Sequence, residues 1–270
     1  MTSNAGEPRP GDHPQVVHHR EEVMGTVVTL DLYVEPGAAG VSARIGRACD
    51  VLHHADAVFS TRKPHSPISR LRRAEISVEQ APSDVAEVLE LCATARVMSA
   101  GWFDPWAMPG GVDPTGLVKG WAAQRALAAL TPGELVGAMV NAAGDIAVSG
   151  GPERGHPFRI GVVDPSSPRA LADVVELDGA IATSGTYERG DHLVDPRSGA
   201  SQARVASATV CGPDLGLADA LATAVAVAGE QALALFEELD GYEAWTIAFD
   251  GSRRWTPNFP FASAVGPPVA

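Results

Sequence analysis

Cysteine is scarce: Cys49, Cys92 and Cys211 are the only three in 270 residues. They are odd in number and far apart, which argues against a disulfide framework and against a cysteine-based zinc centre; buried free thiols are expected instead. No stretch approaches the roughly 20 apolar residues of a membrane helix. The longest weakly polar runs, 136–146 and 215–229, are rich in Ala and Gly and too short to span, so no membrane insertion is expected. Excess positive charge is missing as well. The formal net charge of −13 lacks the basic footprint of a nucleic-acid binder. Lysine occurs only at Lys63 and Lys119, the other strongly basic residues being arginine. Residues 1–20 show no charged-then-apolar signal pattern and no cysteine to acylate. They read as a disordered leader on a cytoplasmic protein. His13, His18, His19 and, further in, His53 are spaced as a polar leader would space them, not as a ligand set.

What is present is 45% hydrophobic residues, enough to bury a sizeable core. Residues 27–34 alternate apolar and polar and predict a strand. Helical spacing predicts helices over 40–57, 83–100 (with Ser83 as N-cap), 119–130, 217–228 and 230–239, and Ser66 is expected to cap a short helical turn. Short strands are expected at 137–141, 146–149, 158–163, 174–177, 180–183, 205–210 and 245–249. The pattern implies an α+β fold, a mixed and mainly antiparallel sheet with flanking helices. One domain over 21–256, with or without two subdomains, would be followed by a Pro-rich tail over 257–270.

Several segments combine glycines with polar residues. Asp219 and Thr223 are four apart on a predicted helix and share a face. Their hard oxygen donors suit Mg²⁺, which takes one or two carboxylates and fills its octahedron with water and phosphate oxygens. The plain alternative is a solvated Asp and a Thr bonding back to its own helix. Asp113-Pro114-Thr115-Gly116-Leu117-Val118-Lys119-Gly120 puts one of the two lysines at a helix start, where a phosphate can be held. The Walker A spacing is absent, and a surface Lys is the simpler reading. Thr183-Ser184-Gly185-Thr186-Tyr187 lacks the Gly-x-Ser-x-Gly of a nucleophile elbow. His192, before the turn Asp195-Pro196-Arg197-Ser198-Gly199, is of a type that serves as general base near neutral pH, though a lone histidine is more often structural.

The order and spelling of these segments add what none carries alone. Met24-Gly25-Thr26, Phe59-Ser60-Thr61, Gly101-Trp102-Phe103-Asp104-Pro105, the 113–120 stretch, Asn141-Ala142-Ala143-Gly144-Asp145-Ile146, the 182–189 and 192–199 stretches, and Ala218-Asp219-Ala220-Leu221-Ala222-Thr223-Ala224 all occur in turn. In this the chain resembles the FAD:protein FMN transferase family, the ApbE-type flavin transferases. The resemblance implies an ApbE-like, T-fold-like architecture. It also implies transfer of FMN from FAD to a Thr or Ser hydroxyl of a client flavoprotein, with release of AMP. FAD would be held by Met24, Trp102, Phe103, Asp104, Asp113, Lys119 and Val194, and Mg²⁺ by Asp219, Thr223 and the carbonyl of Gly116. His192 would be the base, and Trp102 or Phe103 would be available to stack on the flavin. The same residues would equally serve a Mg²⁺-dependent FAD pyrophosphatase or a non-catalytic FAD-binding protein. The chain departs from the family in having Arg62 where an aromatic residue is frequent, Ala222 where some members have a second Asp, Pro114-Thr115 after Asp113, and Ala143 for a glycine.

Overall fold

Strand β2 (Thr26–Val34) shows why the alternation in the sequence is informative. Val28, Leu30, Leu32 and Val34 are buried on one face, while Thr29, Asp31 and Tyr33 lie half-buried on the other. The computed structural model describes residues 13–131, 135–185 and 193–262. Within them, β1 (Gln15–Val23), β2, β3 (Leu135–Ala142), β4 (Asp145–Gly150), β7 (Ala180–Gly185), β8 (Ser207–Gly212), β9 (Glu243–Ile247) and β10 (Arg253–Trp255) form one antiparallel sheet. Their order is β1-β2-β3-β4-β7-β8-β9-β10. The intervening β5 (Phe158–Asp164) and β6 (Ser167–Leu177) form a separate antiparallel hairpin.

The helices are α1 (Val41–Phe59), α2 (Pro67–Arg72), α3 (Ser83–Met98), α4 (Thr115–Leu130) and α5 (Leu215–Ala228). The larger core packs them against Val28, Leu30, Ala138, Val140, Ala147, Ala180, Ala182, Ala208, Val210 and Ala244. The small residues on the central strands let α4 and α5 lie close to the sheet. A second core, on the opposite face, holds Ile146, Val148, Ile181, Cys211, Trp245 and Ile247 under the β5–β6 hairpin. The expected α+β, mainly antiparallel architecture is therefore present.

α5 is buried nearly all round, as an apolar helix inside a core should be. Its contact with α4 is set by glycine: a Cβ on Gly120 would lie 2.4 Å from the carbonyl oxygen of Leu215. Asp214 caps α5, its Oδ1 accepting from the amide of Leu217 at 2.8 Å. Ser66 caps α2 as expected, accepting from the amide of Ser69 at 3.1 Å.

Several boundaries differ from expectation. β1 starts at Gln15, inside the stretch read as a disordered leader. It is an edge strand with polar His19 and Glu21 on its inward face and His18, Arg20 and Glu22 on its outward face, so its hydrophobic alternation is faint. The start of the supposed tail is also built in: Phe259 is buried in the second core and Phe261 packs against it. Residues 230–238 wind as a 3-10 helix (Glu230–Glu238). α3 begins at Ser83 with Pro82 at the cap position. α4 starts at Thr115, four residues earlier than predicted, which places Gly116 and Lys119 on the helix. Cys92 and Cys211 are buried free thiols, and burial pushes the Cys92 thiol up to about 12.

Two hairpin turns share one geometry. Met24 and Gly25 have φ of 54° and 69°, and Ala143 and Gly144 have 55° and 100°. Positive φ at both central residues is the type I′ pattern that matches strand twist. An alanine in this region costs roughly 1–2 kcal/mol. Ala143→Gly is therefore expected to stabilise the chain by about 1 kcal/mol. The expected readout is a higher denaturant midpoint at unchanged slope.

Candidate active site

The site lies where α4 and α5 cross the start of β4 and the end of β7. Asp145, the first residue of β4, is fully buried. A carboxylate there requires compensation. Its Oδ1 accepts from the amide of Thr183 at 3.2 Å, and its Oδ2 forms an ion pair with Lys119 from α4. The next residue on β7, Ser184, places its Oγ 3.3 Å from Thr223 Oγ1. One helical turn before Thr223, Asp219 is only 5% exposed within an otherwise apolar helix. Thr223 thus stands beside Ser184, with Asp219 one turn earlier on the same helix, and Lys119 stands beside Asp145. β7 connects the two halves.

This donor set suits a hard divalent cation. Carboxylate and hydroxyl oxygens dominate it, and no thiol or imidazole is among them. A carboxylate in a nearly water-free position is also where a bound cation gains most from reduced screening. Gly116 sits in the first turn of α4, three residues before Lys119, and a Cβ on it would lie 3.2 Å from the Phe103 ring.

The segment before α4 is fixed by ion pairs. Asp104 Oδ2 lies 2.7 Å from Arg96 Nε, and its Oδ1 accepts from the amide of Trp106 at 3.0 Å. Asp113 accepts from the amide and hydroxyl of Thr115 at 3.1 and 2.6 Å, starting α4, and from Arg72 Nη1 at 2.7 Å. Both carboxylates therefore already anchor backbone.

Arg197 joins this segment to the loop that carries Val194. Its guanidinium lies 3.6 Å from the centre of the Trp102 ring, and its Nη2 donates to the carbonyl of Ala100 at 3.2 Å. The loop itself is pinned by the Val194–Ser201 bridge and by Asp195, which accepts from the amide of Arg197 at 2.9 Å. Arg204 lies 5.3 Å from the same ring. Trp102, Arg197, Arg204, Gln231, Ala232 and Leu235 line a cavity of about 460 Å³. An aromatic face flanked by two guanidinium groups favours planar, anionic ligands.

Most of the residues singled out in the sequence fall into two neighbouring groups. Lys119, Asp219 and Thr223 belong to the first, with Gly116 one turn away. Trp102, Phe103, Asp104, Asp113 and Val194 belong to the second. Phe103 is packed under Gly116, and one face of Trp102 is covered by Arg197, so neither ring is freely open for stacking in this arrangement. Met24 occupies the β1–β2 turn. Arg62 reaches that turn, its Nη1 lying 3.8 Å from a Cβ built on Gly25. His192 lies outside the described residues. Asp145, Ser184, Arg197 and Arg204 were given no role from sequence. The glycine-bearing segments around Asp145 and Ser184 were the available signal, but their partners lie on other elements.

Comparison with known proteins follows the same lines. The sequence model of the ApbE family matches residues 24–110 and 107–246. An FAD:protein FMN transferase of Vibrio cholerae is 34% identical over 131 residues, 44% of this chain and 39% of that protein. One from Rhodobacter capsulatus is 34% identical over 129 residues, 44% of this chain and 24% of that one. The aligned stretch thus spans less than half the length of either relative. In fold, the chain is similar to the crystal structure of an ApbE protein from Thermotoga maritima, with a TM-score of 0.79 at 22% identity over 90% of this chain and 98% of that one. The flavin transferase ApbE from Vibrio cholerae gives 0.79 at 21% identity, covering 90% and 97%.

Proposed function

The chain belongs to the ApbE family, and on that premise we propose that it is an FAD:protein FMN transferase acting on a client flavoprotein. The observation that carries the reading is a set of polar contacts along the inner ends of α4, β4, β7 and α5: Lys119 pairs with the buried Asp145, Ser184 contacts Thr223, and the nearly buried Asp219 lies one turn before Thr223. Ionisable and hydroxyl groups gathered from several elements at a largely buried place mark a candidate functional site.

In this reading FAD lies with its pyrophosphate over the cluster. The Trp102–Asp104 segment, Asp113 and the Val194 loop hold it, with Met24 and Arg62 at the β1–β2 turn. Mg²⁺, held by Asp219, Thr223 and the Gly116 carbonyl, would neutralise pyrophosphate oxygens and stabilise charge on the departing phosphate. The client Thr or Ser oxygen forms a bond to the FMN phosphorus. The bond from that phosphorus to the bridging oxygen breaks, and AMP leaves with that oxygen. His192 takes the proton of the attacking hydroxyl. Lys119, steered by Asp145, presents a positive charge to the phosphates. Arg197 and Arg204 add two more at the Trp102 cavity, whose volume lies within the usual range for a small-molecule site.

The direct test is incubation with FAD, Mg²⁺ and a client carrying the family's acceptor Thr. Flavin fluorescence should stay with the client after denaturation and gel separation, and should vanish when the acceptor Thr is replaced by Ala. A client that remains dark while a known transferase labels it would refute the proposal.

A further inference from the structure

A second cluster lies away from this site, between the edge strand β1 and helix α1. His19 and Glu21 are two apart on β1 and therefore share a face. Cys49 and His53 are four apart on α1 and also share a face. Packing of α1 on β1 brings the two pairs together. His19 Nε2 lies 3.0 Å from Glu21 Oε2 and 3.3 Å from Cys49 Sγ. Ligand atoms of His19, Glu21 and Cys49 all fall within 4.8 Å of one another, and all three residues are half-buried. His53 Nε2 contacts the other carboxylate oxygen, Glu21 Oε1, at 2.8 Å.

We propose that His19, Glu21 and Cys49 form a binding site for a borderline-soft divalent transition metal of the Zn²⁺ class, with His53 orienting Glu21 from outside. The chemistry of the donors selects the ion. One imidazole, one carboxylate and one thiol match zinc's N/O/S preference and not that of Mg²⁺ or Ca²⁺. The geometry matches as well. Zinc bonds of about 2.0 Å to nitrogen or oxygen and about 2.3 Å to sulfur put tetrahedral ligand atoms of this set roughly 3.3–3.5 Å apart, and His19 Nε2 already lies 3.0 Å from Glu21 and 3.3 Å from Cys49. Three protein ligands leave the fourth position to water. Ligating carboxylates are themselves held by outer hydrogen bonds, the place that His53 takes on the other oxygen of Glu21. On binding, the Cys49 proton passes to solvent and a metal–sulfur bond forms. Without metal, burial and then the hydrogen bond to Glu21 hold that thiol up at about 11. The two histidines, His19 first, hold the Glu21 carboxyl below its ordinary range. Bound metal would clamp the edge strand to α1. The site uses no residue assigned to FMN transfer, so the two proposals stand or fall separately.

The test uses the full chain stripped with chelator and then saturated with Mg²⁺. Zn²⁺ binding is followed by equilibrium dialysis, and Co²⁺ serves as the spectroscopic probe. The expected result is one bound Zn²⁺ per chain, a Co²⁺ spectrum with thiolate charge-transfer absorption, and a higher thermal midpoint with Zn²⁺. Cys49→Ser removes the thiolate absorption and the tight Zn²⁺. His53→Ala weakens Zn²⁺ by about 10- to 100-fold. Asp219→Ala leaves Zn²⁺ affinity unchanged. A Co²⁺ spectrum of the unaltered chain without thiolate absorption would overturn the proposal whether or not the variants fold, as would Zn²⁺ affinity in the Cys49→Ser or Glu21→Gln chain equal to that of the unaltered chain.

Discussion

Asp219→Ala is expected to lower FMN transfer by roughly 100- to 1,000-fold, the range typical for losing one strong electrostatic contributor to a transition state. The fold should survive. Asp219 is flanked by Ala218 and Ala220 on a helix that is alanine-rich throughout, and alanine is the best helix former. Stability should therefore be largely kept while turnover collapses. The check is AMP release with client at saturating FAD, read beside the thermal midpoint. Asp219→Asn should behave similarly, because it keeps the shape and removes the charge. Undiminished transfer by Asp219→Ala would remove this residue from the proposed metal site.

The opposite signature is expected at Lys119. Its ion pair with Asp145 is buried on the carboxylate side, with the Asp145 side chain 1% exposed and Lys119 21% exposed. Truncating one partner of a buried pair leaves the other uncompensated, a loss of about 3–5 kcal/mol. For a domain of this size that corresponds to roughly 6–20 °C in the unfolding midpoint. Lys119→Ala should therefore destabilise the chain as well as impair transfer. Replacing both partners separates the two roles. Lys119→Met combined with Asp145→Asn removes both charges and should recover most of the stability. It should not recover transfer, since no positive charge would remain there for the phosphates. Calorimetry and the transfer assay on the same three chains decide this, and recovered activity in the double variant would show that Lys119 serves only the fold.

How much of this was legible in the sequence depended on the range of the interactions. β2, α1, α3 and α5 announce themselves because their buried faces follow the periods of a strand or helix. Asp219 and Thr223 were visible as a pair because their relation is within one helix. β1 was read as leader, since polar residues stand on both its faces, His18, Arg20 and Glu22 outward and His19 and Glu21 inward, leaving little apolar alternation. Asp145 was unassigned because its partners, Lys119 and Thr183, come from α4 and β7. The early histidines were set aside because their spacing means nothing until α1 folds onto β1 and adds Cys49 and His53. Arg197 on Trp102 was hidden for the same reason: the contact depends on how a turn packs against a distant loop.

The central claim is that the buried polar cluster passes FMN to a protein hydroxyl and not to water. The most direct measurement is the ratio of AMP released to FMN bound on the client, taken from one reaction with FAD and Mg²⁺ and compared with a reaction lacking client. Transfer predicts equal amounts of AMP and labelled client, with little AMP when the client is omitted. AMP released at the same rate without client, leaving free FMN and an unlabelled client, would contradict it and make the chain an FAD pyrophosphatase.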